Sequence, residues 1–106
     1  MTLSPMQITT NTTDRKATIK LDGRFDFSAS RDFRSSYESI LGQRELESIE
    51  IDLSSVSYLD SSALGMLLLL REKTEPTNAK LSLVNSRGAV RQILEVANFH
   101  KLFTLR

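Results

Sequence analysis

The chain contains no cysteine, which excludes disulfides, thiolate catalysis and cysteine-bound metals, and suits a reducing, cytoplasmic compartment. Histidine occurs once, as His100. A histidine-based metal site is thereby excluded, and a serine hydrolase would have to use this side chain as its sole base, without the G-x-S-x-G elbow that such enzymes carry. A charge excess of one sign is also missing, since 14 Lys and Arg face 13 Asp and Glu and are scattered singly. With no basic stripe to neutralise a row of phosphates, nucleic acid is not an expected partner. The longest apolar run, Met66 to Leu70, falls far short of the roughly 20 residues that span a bilayer, so no membrane partner is expected either. The polar segment from Met1 to Thr13 lacks the charged start and apolar run of an export signal. Proline is confined to Pro5 in the tail and Pro76 at a predicted turn.

What remains is an ordinary globular composition, 40% hydrophobic and 25% charged over 106 residues. That length supports one core, and no repeat, linker or low-complexity tract divides it, so residues 1–106 are read as one domain. Residues 1–13 form either a polar N-terminal segment or a first strand.

Ala17, Ile19 and Leu21 alternate with Thr18, Lys20 and Asp22, the period of a half-buried strand, which Gly23 is predicted to break. From Ser28 to Leu41 the apolar positions Ala29, Phe33, Tyr37, Ile40 and Leu41 follow helical spacing, with Gly42 placed as a left-handed cap. Ile49, Ile51 and Leu53 predict a second strand, leading into a loop from Ser54 to Asp60. A helix from Ser61 to Glu75 follows, and its run from Met66 to Leu70 implies burial on most faces, although one edge is available to a partner. Leu81 and Leu83 suggest a third strand; Val90, Ile93, Leu94 and Ala97 form an amphipathic helical stripe; a short strand is placed near Phe103. The order predicts an α/β fold with right-handed crossovers, a mixed sheet of about four to five strands covered by helices. Ligands and partners favour strand ends in such folds, which points to Asp60, Ser61 and Ser62.

Two readings of Asp60-Ser61-Ser62 stay open at this level. One is local, with Asp60 as an N-cap and the serines merely tolerated in the first turn. The other is chemical: a phosphate on Ser61 would add about −1.5 to −2 charges at the positive end of a helix, leaving the fold intact and changing the surface a partner meets. Asp26 is read as a turn residue or as the cap preceding the Ser28 helix. Asp22, Asp26, Asp52 and Asp60 offer a further alternative, an acidic cluster for a divalent ion in a receiver-like phosphoacceptor. His100 is read as a partly exposed residue near the end of the last helix.

The segment Val56-Ser57-Tyr58-Leu59-Asp60-Ser61-Ser62-Ala63-Leu64-Gly65 closely resembles the signature of bacterial anti-sigma factor antagonists, the STAS-domain family. Leu21-Asp22-Gly23-Arg24-Phe25-Asp26 is similar to that family's early strand and turn, and Val90 to Leu102 to its closing helix. The resemblance implies a single STAS domain in which Ser61 accepts phosphate, with Asp26, Tyr58, Asp60, Ser62, Ala63 and Gly65 flanking it or meeting a partner. Ala63 stands where most relatives have glycine. The implied partners are an anti-sigma factor or anti-sigma-type serine kinase, using ATP and magnesium, and a metal-dependent serine phosphatase. No catalytic activity, metal or cofactor is implied for the chain itself. The form Leu59 to Leu67 looks like a proteobacterial subset whose kinase and phosphatase are linked to a response regulator. Two other classes stand beside this one: a constitutive STAS-like interaction module, and a small phosphoacceptor or hydrolytic enzyme.

Overall fold

The computed structural model describes residues 6–43 and 45–106. Pro5 and the first few residues of the predicted N-terminal segment lie outside them; the rest of that segment is a strand, β1 (Met6–Thr13). It pairs antiparallel with β2 (Lys16–Phe25) through a tight hairpin. Asp14 and Arg15 form the turn at φ 52° and 65°, the left-handed pair that matches the twist of the strands.

Three crossovers follow: α1 (Ser30–Leu41) leads to β3 (Ser48–Leu59), α2 (Ser61–Thr74) to β4 (Lys80–Val84), and α3 (Gly88–Val96) to β5 (Thr104–Leu105). The sheet order is β1-β2-β3-β4-β5, with every pair after the first parallel. One core holds Ala17, Ile19 and Leu21 of β2 with Ile49, Ile51 and Leu53 of β3 and the inner faces of the helices. The opposite face of the sheet carries Lys16, Lys20, Glu50, Asp52 and Lys80 and is left uncovered. The helices therefore form a single layer, with α2 between α1 and α3.

Three local expectations change. Gly23 does not end β2: at φ 112° it sits beside one of two register shifts, and the strand runs on to Phe25. The predicted loop from Ser54 is strand as far as Leu59. Lys20 and Asp22 pair with Asp52 and Ser55, and Gly23 and Arg24 with Val56 and Tyr58, so β3 twice advances one residue further than β2. These bulges turn the inward spacing from two to three, and Leu53, Val56 and Leu59 are all buried. Alternation fails in the sequence there, yet pairing continues. Gly42 ends α1 with φ −76°, in ordinary right-handed backbone, its N–H bonded to the carbonyls of Glu38 and Ile40.

The long apolar helix is less enclosed than its composition suggests. Ala63, Leu67, Leu70 and Thr74 face the sheet, while Leu68 and Leu69 remain 37% and 42% exposed. The Thr74 hydroxyl is buried and donates to the Leu70 carbonyl at 2.8 Å, so the last turn buries no unpaired polar group there.

Candidate functional site

The end of β3 and the end of β2 lie side by side, with Leu59 opposite Phe25 and the Asp60 N–H donating to the Phe25 carbonyl at 3.3 Å. Each strand then turns into a helical segment by the same device. Asp60, extended at φ −113°, accepts the Ala63 N–H on Oδ1 at 2.9 Å and caps α2. Asp26, extended at φ −134°, accepts the Ser28 N–H at 3.0 Å and opens the 3-10 turn Phe27–Ala29 that precedes α1. The fold thus brings Asp26 and Asp60 to the adjacent ends of β2 and β3. Both are caps, so the local reading of each residue holds as well.

Ser61 is the first residue of α2, is exposed, and its hydroxyl has no hydrogen-bond partner among the described residues. Because the Asp60 carboxylate already caps the helix through the Ala63 N–H, the Ser61 oxygen is not spent on capping. It projects at the positive end of a helix, where added negative charge is stabilised by the helix dipole. Ser62 is half-buried; Ala63 is fully buried, its N–H taken by the cap, so its side chain belongs to the core. Gly65 is exposed, and a Cβ there would meet nothing within 4 Å. Nothing in the chain itself requires glycine at that position.

Asp26 also accepts the Ser28 hydroxyl and lies 3.6 Å from the Arg24 guanidinium. The Ser28 hydroxyl, opposed by partial desolvation and assisted by the Ser28 N–H and Arg24, holds the Asp26 carboxyl below its ordinary value of 3.8. Arg24 in turn stands 4.4 Å over the ring of Tyr58, its register partner across the bulged strands. Tyr58 is 41% exposed, and Phe27, on the neighbouring turn, is 73% exposed. Arg24 and Phe27 are additions that sequence reasoning did not single out. Phe27 fell off the helical stripe, which was the available signal that it points outward; Arg24 needed the register.

The four aspartates do not gather. Asp22 is exposed on β2 opposite Ser55, and Asp52 lies on the open face of the sheet, where its Oδ1 accepts the Ser54 N–H at 2.9 Å and the Asn85 amide at 3.3 Å. Burial raises the Asp52 carboxyl, but the Ser54 and Asn85 hydrogen bonds outweigh it and leave the group below its ordinary value. Among the described residues no set of three His, Asp or Glu side chains is placed to hold a metal ion. The divalent cluster that a receiver-like reading requires is therefore not assembled from Asp22, Asp26, Asp52 and Asp60. His100 is exposed in the 3-10 turn Phe99–Lys101, beyond α3 and not within it.

Known proteins share this fold. The model of the STAS domain family matches residues 7–106. A STAS-domain-containing protein of Pseudomonas aeruginosa is 47% identical over 93 residues, covering 86% of this chain and 88% of the relative. Among solved structures, an anti-sigma factor antagonist from Mycobacterium paratuberculosis superposes with a TM-score of 0.83 at 21% identity, over 94% of this chain and 84% of that one. SpoIIAA, a Bacillus cell fate determinant solved in its phosphorylated form, superposes with a TM-score of 0.70 at 20% identity, over 95% and 90% of the two chains. At such identities the structures establish a shared fold, while the family model and the Pseudomonas relative cover nearly the whole sequence. On the match across residues 7–106 and the parallel sheet that carries the Asp60-Ser61 junction, this chain belongs to the STAS-domain family.

Proposed function

We propose that this protein is an anti-sigma factor antagonist whose binding is switched by phosphorylation of Ser61. The observation that carries the reading is an exposed serine hydroxyl with no structural duty, at the first position of a helix already capped by Asp60. Support comes from those structural neighbours that are anti-sigma factor antagonists, one of them solved in both unphosphorylated and phosphorylated forms.

In the unmodified state the protein binds an anti-sigma factor through the edge formed by Tyr58, Phe27 and the outer face of α2. A phosphate on Ser61 adds about −1.5 to −2 charges and three acceptor oxygens to that edge. The free protein accommodates it at the helix N-terminus; the complex has to desolvate it or accept its repulsion. A penalty of about 2.7 to 4 kcal/mol lowers affinity roughly a hundred- to a thousandfold, enough to release the partner. The modifying enzymes are an ATP-dependent serine kinase of the anti-sigma type and a metal-dependent serine phosphatase, here joined to a response regulator. Magnesium, ATP and the phosphatase metal belong to those enzymes.

The test is peptide mass spectrometry of the protein isolated from its native cells, with partner recovery scored for each phosphorylation state. Phosphate on Ser61 confined to the unbound fraction, together with constitutive binding by Ser61→Ala, supports the switch. Phosphate on another residue, or binding that ignores kinase and ATP, leaves Ser61 as a plain helix residue of a constitutive module.

A further inference from the structure

The two edges of the sheet are finished differently. β5 is two residues long and is followed directly by the charged Arg106, so it offers almost no ladder to a further strand. β1, at the other edge, is eight residues long. Edge strands are ordinarily guarded by charge, by proline or by a bulge. Residues 6–13 contain no charged side chain and no proline, and they pair with β2 from Met6 to Thr13 without a register shift. Ile8 and the threonines at 9, 10, 12 and 13 favour the extended backbone. The hairpin fixes which groups face outward. Its two-residue turn closes on the hydrogen-bonded pair Thr13 and Lys16, so Thr13, Asn11, Thr9 and Gln7 exchange bonds with β2. The N–H and C=O groups of Ile8, Thr10 and Thr12 point the other way, and among the described residues no backbone hydrogen bond from outside the sheet reaches them. Above this edge, helical spacing gives α1 a flank of Asp32, Ser36 and Ser39, opposite the one that Arg31, Arg34 and Glu38 turn toward α2.

From this geometry we infer that β1 pairs antiparallel with β1 of a second copy, across a two-fold axis at Thr10, so that one sheet runs through both molecules. Residues opposed in an antiparallel pair share a face, and outward hydrogen-bonding groups must meet outward groups. Centring the pair on Thr10 satisfies both conditions: Ile8 lies against Thr12, Thr10 against its own copy, and about six hydrogen bonds cross the seam. This register uses residues 7–13 and does not draw on Met6, which is already buried. A second copy is the occupant because the strand is self-complementary in charge: β1 opposes no like charges when it meets itself. The nearest charges on the open face, Lys16, Lys20 and Asp22, stand one strand back on β2. On the helical side, antiparallel pairing sets the Asp32 end of one α1 beside the Gln43 end of the other, not beside a second Asp32. The two-fold also closes the assembly. Both β1 edges are consumed, and the remaining β5 edges are too short to recruit a further copy. Helix α1 separates α2 from the seam, so the pairing leaves both Ser61 positions free and does not depend on the phosphorylation reading.

The experiment is sedimentation velocity on the full chain from about 1 to 100 µM, a span that resolves a micromolar dimer. The wild type is expected to shift from monomer to dimer across that range and to form nothing larger. Thr10→Pro removes an outward N–H that the fold itself does not use, so it should leave the chain folded and monomeric. Thr10→Lys and Thr10→Glu should each weaken dimerisation at least tenfold, by opposing like charges on the axis, and an equimolar mixture of the two should restore the dimer. That rescue requires folded protein and Thr10 set against Thr10. Leu68→Glu, on α2, should leave the dimer unchanged. Circular dichroism of each variant should match the wild type. A wild type that stays monomeric at every concentration, an assembly larger than a dimer, a dimer that survives Thr10→Pro, or a Lys and Glu mixture that stays monomeric overturns the inference. Partner capture by Ser61→Ala bears on the switch alone, and the sedimentation result stands whether or not Ser61 carries phosphate.

Discussion

Asp60 acts through one carboxylate oxygen on the Ala63 N–H, and that bond anchors the start of α2. Asp60→Ala should lower stability by about 1 kcal/mol in urea denaturation, whereas Asp60→Asn, which keeps an acceptor oxygen, should lose only a fraction of that. Gly65 presents the opposite case. With nothing near its missing Cβ, Gly65→Ala should raise the stability of the free protein by about 0.5–1 kcal/mol and weaken partner binding if a backbone packs there. A loss of stability would show that the glycine serves the fold. Asp26 supplies a pH signature. Its folded carboxyl titrates below the ordinary value of 3.8, so its contribution is complete above that value and disappears as pH falls through the lower, folded value. Melting temperatures measured from pH 5 down to pH 2 should therefore fall less steeply for Asp26→Asn than for the wild type.

At the scale of elements, the site is held in place by what lies beneath it. Phe25, at the end of β2, packs on Phe33 of α1 with ring centroids 5.0 Å apart, and Phe33 meets Tyr37 edge-on at 5.5 Å. This cluster fixes the angle at which the chain leaves β2, and with it the Asp26-Phe27 turn beside Asp60. Phe33→Ala should cost about 3–5 kcal/mol in denaturant unfolding, through lost burial and the cavity left behind. Thermal melting should register the loss as a large drop, and a change near zero would mean that α1 is held elsewhere. The bulges of β3 serve the same end differently. They let the strand continue past Asp52 while keeping Leu53, Val56 and Leu59 inward, and they place Tyr58 outward beneath Arg24. Sequence reading missed this extension because it looks for alternation, and a bulge changes the period without ending the strand. The hairpin before β2 was hidden for a related reason: Asp14-Arg15 is not a turn pair that announces itself, and only its positive φ angles reveal the turn.

For the molecule as a whole, one face of the sheet carries the helices and their core, and the other is polar and open. Among the described residues no helix is long and apolar enough to cross a membrane. The exposed apolar side chains gather toward the helical layer and the strand ends, which is where a partner is expected to dock. The proposed switch would leave the fold alone and alter only that surface. Phosphorylation of Ser61 should consequently move stability by no more than about 1 kcal/mol, a shift of no more than about 4–8 °C in melting temperature. Partner affinity measured by calorimetry on the same sample should fall a hundredfold or more. A phosphoprotein that unfolds, or that binds as before, would reject this division between fold and surface.

Helical spacing, strand alternation and a capped Asp-Ser junction are written in residues adjacent along the chain, because backbone geometry and local hydrogen bonds act over a few residues. From them the order of elements, the α/β class and the position of Ser61 could be read directly. The strand order β1-β2-β3-β4-β5, the pairing of Arg24 with Tyr58, the burial of Ala63 and the outward ridge through Gly65 and Leu68 depend on segments distant in sequence. An apolar run declares that it is apolar, but which of its sides meets water is set by what packs against it. Tertiary packing left Leu68 and Leu69 facing outward on the helix that begins at the serine.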